Sequence, residues 1–186
     1  MTIGTTDIFL LVIIVSTLVV GFFWGAARSL LLLAAWVLAF LAGAHLKTGL
    51  GSYLDREWSQ FSPGFNDMAA FAIIFIGLLI AAPVAIFVST RGSQRVTRFQ
   101  VLDDLVGAFF AVFVAVLGIA GTMIVLSTFY GPDFAVDPAG GPQWTANLYQ
   151  NLMASNIGGS INDIVVPIIG FVLGPVLPQD VGEVFA

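Results

Sequence analysis

The chain has 186 residues, 59% apolar and 9% charged, with six Lys or Arg against eleven Asp or Glu for a net charge of −5. A soluble domain carries about 25% charged residues, so most of this surface must face something other than water, and a nucleic-acid-binding domain, a disordered tail and a disulfide scaffold are excluded together. No cysteine is present, which removes thiolate catalysis, Fe–S clusters and Cys-based zinc sites.

A helix needs roughly 20 apolar residues to cross the hydrocarbon core of a bilayer, with about 17 as the lower bound. Four segments meet this requirement: residues 8–24, 29–46, 68–89 and 105–130. Only Gly25-Ala26-Ala27-Arg28 separates the first two, which predicts a tight helical hairpin. Pro83 predicts a kink in the third. Asp7 is the only ionised side chain before Ile8, so no basic leader region precedes the first segment, and it reads as a span. Four such runs leave too little polar chain to enclose them in a soluble core. The predicted fold class is therefore all-α: a polytopic membrane protein of about four transmembrane helices in a compact bundle, occupying residues 1–130.

Lys and Arg in the short connections set the orientation. Arg28, Arg91, Arg95 and Arg98 fall on one side of the membrane, Lys47 and Arg56 on the other. The first side is then cytoplasmic and both termini lie on the opposite, periplasmic side. Arg91, Arg95 and Arg98 would share one face of a short helix, suited to a membrane surface or to a docking partner. Within the spans, small residues four apart offer close backbone approach: Ala35, Ala39 and Gly43; Gly77, Ala81 and Ala85; Gly107, Ala111 and Ala115; and Gly21 with Gly25.

Residues 131–186 change character. A Gly-, Pro- and Asp-rich loop covers 131–141 and is followed by an amphipathic stretch, 143–155, with Trp144, Leu148 and Leu152 on one stripe. This predicts an interfacial helix. The apolar stretch 164–177 is short and interrupted by Pro167, Gly170, Gly174 and Pro175, which predicts a re-entrant or interfacial segment rather than a fifth crossing.

Catalytic chemistry has little to work with. His45 is the only histidine, which excludes a multi-histidine metal site, and it reads as an interfacial residue beside Lys47 more readily than as a proton carrier. No phosphate-binding loop or nucleophile elbow is present, and neither a catalytic residue, a metal ligand nor a cofactor site is assigned. The hydroxyls of Ser16, Thr17, Thr122, Ser127 and Thr128 fit bonds to helical carbonyls or between helices. No ionised residue lies near the centre of a span, which argues against an ion-coupled transporter working alone. Asp7, Arg28, Asp103 and Asp104 sit at span ends, where helix capping is one expectation and pairing of Arg28 with Asp103 or Asp104 is the other.

These span-end residues also fall in a recognisable order. Asp7 opens the first span; Gly21 and Trp24-Gly25-Ala26-Ala27-Arg28 make the turn; Trp36 follows eight residues later; and Leu102-Asp103-Asp104-Leu105-Val106-Gly107 opens the last span. Over residues 5–130 the chain resembles the CvpA family, named for colicin V production. It departs from the family pattern at Trp24 and Asp104, where the family often has basic residues, and at Ala111, where it often has glycine. The resemblance implies a small bacterial inner-membrane protein, non-enzymatic, involved in toxin production or export and in envelope homeostasis. Its expected partners are the lipid bilayer and either further copies of itself or membrane export and envelope proteins, with no nucleic acid. An oligomeric channel or transporter lined by hydroxyls such as Thr122 and Ser127 is the alternative.

Overall fold

A computed structural model describes residues 4–90, 100–131 and 141–185, and every regular element among them is helical. Helices α1 (Thr5–Trp24), α2 (Ala26–Glu57), α3 (Pro63–Ser89) and α4 (Gln100–Tyr130) contain the four predicted spans. They are followed by α5 (Gln143–Ala154), α6 (Asn156–Leu173), a 3₁₀ turn (Gly174–Val176), the single turn α7 (Gln179–Gly182) and a last 3₁₀ turn (Glu183–Phe185).

The helices outrun the apolar segments, and their caps explain why. The third was expected to begin at Met68, yet Ser62 accepts the Phe65 amide (3.3 Å) and Pro63 occupies the first turn, so α3 starts five residues earlier. Helix α2 continues to Glu57, which makes it about 48 Å long, well beyond a hydrocarbon core of about 30 Å. Lys47 and Arg56 therefore ride on a helix rather than in a connection.

The tail departs most from expectation. Ser155 caps α6 by accepting the Gly158 amide (2.9 Å), so the apolar stretch 164–177 is no separate segment. It is mostly the second half of an 18-residue helix whose first turns carry polar residues. Five helices among the described residues, rather than about four, are long and apolar enough to cross a membrane. The expected helix at 143–155 is present as α5, although only Leu152 of its stripe is buried and Trp144 and Leu148 remain exposed.

Helices α2 and α4 form the centre, with α3 packed along α2 and α1 along α4. Lipid tails offer helices little hydrophobic reason to associate, so van der Waals fit must hold the bundle. Trp36 and Phe40 of α2 stack at 5.3 Å, and Phe75 of α3 stands edge-on to both. Phe71 completes the cluster against Phe40, and all four rings are essentially inaccessible. Two glycines make room for it: a methyl group on Gly43 would lie 2.6 Å from Phe71, and one on Gly121 2.7 Å from Phe75.

The small-residue ridges divide in two. Ala39 and Gly43 of α2, and Gly107, Ala111 and Ala115 of α4, are buried at helix contacts. The ridge on α3 is not: Gly77, Ala81 and Ala85 are exposed, because α3 gives its Phe71 and Phe75 face to the bundle. Helix α1 buries only Asp7, Leu10 and Gly21 and leaves Phe9, Val12, Val15 and Phe23 open to the surroundings.

Candidate functional site

The hairpin turn needs backbone freedom. Gly25 adopts φ +77°, a conformation that side-chain-bearing residues avoid, and it serves as N-cap of α2 without a side chain to offer. A carboxylate from another helix fills that role. Asp103, in the first turn of α4, accepts the Ala26 amide through Oδ1 (3.3 Å), and its Oδ2 lies 2.4 Å from where a Gly25 methyl would stand. Its negative charge thus meets the positive end of the α2 dipole.

What brings Asp103 there is a contact one turn further along α4. A methyl on Gly107 would lie 2.6 Å from the Gly21 carbonyl oxygen and 2.6 Å from the Gly25 carbonyl carbon. One on Gly21 would lie 2.2 Å from Ala111 Cβ and 2.7 Å from the Gly107 oxygen. The structure thus gathers Gly21, Gly25, Asp103 and Gly107 at one point. Trp24 stacks beside it on Phe87 (6.5 Å).

Arg28 belongs to the same end but has a different partner from the one expected. Its Nε donates to Thr90 Oγ1 (2.9 Å) and its Nη2 to the Thr90 carbonyl (3.1 Å). Thr90 is the C-cap of α3, so the guanidinium satisfies the negative end of that helix, and the pairing with Asp103 is replaced by two separate helix-end contacts. Asp104 is buried close by. Arg91, Arg95 and Arg98 lie outside the described residues.

At the far end of α1, Asp7 does the same work twice. It accepts the Gly4 amide (3.0 Å) at the start of its own helix, and it accepts the Ile157 amide (2.9 Å) and Asn156 Nδ2 (3.2 Å) at the start of α6. Its side chain is 4% exposed, beside an open polar crevice of about 710 Å³ lined by Thr5, Thr6, Asn151 and Asn156. The sequence placed Asp7 at a helix start, but nothing in it signalled a partner 150 residues away.

The remaining candidates lie apart. Trp36 is in the aromatic core, and its Nε1, like Ser29 Oγ, is buried without a hydrogen-bond partner among the described residues. His45 is exposed, with Nδ1 3.0 Å from the Leu41 carbonyl. Thr122, Ser127 and Thr128 donate to carbonyls of their own helix, as does Thr17. Sequence reasoning missed Asn66, which is fully buried and donates to Asp55 Oδ1 (2.6 Å), and counted Lys47 with a connection although it is buried within α2. Among the described residues no three His, Asp or Glu side chains gather where a metal ion could bind.

A chain whose described residues are all helical, with five apolar helices of bilayer length, a glycine contact between α1 and α4 and carboxylates at its helix junctions, has the build of a small polytopic membrane protein. The model of the colicin V production protein family matches residues 6–158, and the chain belongs to that family. The match runs well past residue 130, where the resemblance was expected to stop, so it includes α5 and the first residues of α6. Its two limits fall beside Asp7 and Ile157, which are hydrogen-bonded to each other. No curated protein and no solved structure matches the chain.

The two carboxylates should be separable by mutation. Asp103→Ala should cost about 1 kcal/mol of stability in detergent, the usual worth of an N-cap, with α6 still docked. Asp7→Ala should lower the melting temperature and also expose the chain around residues 155–157 to protease. Equal proteolysis of both variants would show that Asp7 does not hold α6.

Proposed function

We propose that this protein is a non-enzymatic factor of the bacterial inner membrane that serves colicin V-type toxin production or export and envelope homeostasis. Membership of the colicin V production protein family over residues 6–158 is the observation that carries this reading. The commitment of Asp7 and Asp103 to helix amides supports a structural role for both, and the bonds of Thr122 and Ser127 to their own helix give the channel alternative no support. The protein works through its fit in the bilayer and through association with itself or with export and envelope proteins. In a colicin V-secreting bacterium lacking its own family member, expression of this chain should restore toxin release, and Gly107→Leu should not. No restoration by stably inserted full-length protein would overturn the assignment.

The Arg28 end of the bundle is cytoplasmic, and both termini face the periplasm. For the N-terminus this rests on the distribution of Lys and Arg. For the C-terminus it rests on α6, whose exposed face carries Asn156, Ser160 and Asp163 before turning to Ile164, Ile168 and Phe171. An exposed Asp163 near the middle of the helix is costly at the bilayer centre, so α6 enters the membrane from the periplasmic side without crossing it. Reporter fusions after Tyr130 and after Ala186 should both register the periplasm; a cytoplasmic signal from the second would make α6 a fifth span.

A further inference from the structure

A half-open cavity of about 280 Å³ runs between the first half of α3 and the last turns of α4, with α5 closing one end. Its walls are hydrocarbon: Phe65, Met68, Ala69 and Ala72 of α3 face Val125 and Leu126 of α4. Two hydroxyls border it, and both are occupied within the protein. Thr122 donates to the Gly118 carbonyl (2.9 Å), and Thr145 bonds the Pro142 carbonyl (2.7 Å) and the Tyr130 hydroxyl. The exposed walls are almost wholly apolar, so a polar solute would gain little there, and water needs two to four partners.

Length and position identify an occupant. From Phe65 to Ile76 the groove follows α3 over twelve residues, or roughly 16 Å at the helical rise. That is about one leaflet of a hydrocarbon core near 30 Å thick. Ile73 and Ile76, about half exposed, sit on its lateral side, continuous with the apolar outer surface of α3. At the α5 end stand Trp58 and Trp144, both partly exposed, the residue type that collects where a bilayer meets water. We propose that this groove holds one acyl chain of a membrane phospholipid from the leaflet next to α5, clamping α5 to the α3–α4 pair.

The test uses the full chain in phosphatidylethanolamine–phosphatidylglycerol vesicles doped with a phospholipid that carries a photoreactive diazirine in its acyl chain. After illumination, adducts should be enriched several-fold on peptides containing Ala72 and Leu126 over those containing the exposed outer residues Phe9 and Ile80. Ala72→Phe should abolish the groove adducts and leave those at Phe9 unchanged; Ala69→Leu serves the same purpose should the first variant fail to fold. Adducts spread evenly over the apolar surface, or unaffected by a folded filling variant, would overturn the proposal. So would a photoreactive residue placed at Ala72 that captured a second copy or another protein in place of lipid.

Discussion

The fold depends on a place where two backbones meet without side chains between them. Gly21 of α1 and Gly107 of α4 approach so closely that a single methyl group on either would overlap the other's carbonyl. In a bilayer, where apolar surface alone gives helices little reason to associate, such proximity is what van der Waals attraction requires. Its consequence lies one turn away. Asp103 is carried over the Gly25–Ala26 peptide and completes the start of α2, which has no capping side chain of its own. Arg28 then reaches across to the end of α3, so four helix ends are tied within one small region.

Charge is used sparingly in this chain, and three of its charged side chains serve helix termini. Helix N-termini present amide groups without intrahelical partners, and C-termini present carbonyls. Asp7 and Asp103 serve the first kind, Arg28 the second, and each does so for a helix other than the one that carries it. A carboxylate so placed meets the fixed partial positive charge of a helix N-terminus. Asp7 also joins the first residues of the family region to its last, which gives α5 and the start of α6 a physical link to the bundle despite their distance in sequence.

Much of this was legible in the sequence. Apolar runs of 17 or more residues gave the four long helices, the short Gly25–Arg28 interval gave the tight turn between α1 and α2 but not that α1 packs along α4 instead of α2, and the order of Asp7, Gly25, Arg28, Asp103 and Gly107 gave the family. Helix ends were less legible, because a cap such as Ser62 or Ser155 starts a helix several residues before its apolar run. Faces were less legible still. The stripe of Gly77, Ala81 and Ala85 has the same spacing as that of Gly107, Ala111 and Ala115, yet it points outward while Phe71 and Phe75, on the aromatic side of α3, pack against α2. The partners of Arg28 and Asp7 were beyond reach, since spacing along a chain does not say which helix ends meet.

The most direct test is a double-mutant cycle on the glycine contact, with melting in detergent measured for Gly21→Ala, Gly107→Ala and the pair. Each single change should lower the melting temperature, and the double variant should fall little below the worse single, because the first methyl already lifts α1 from α4 and makes room for the second. Neutral single variants, or a double loss equal to the sum of the two, would contradict a backbone contact between α1 and α4 as the fold's central constraint.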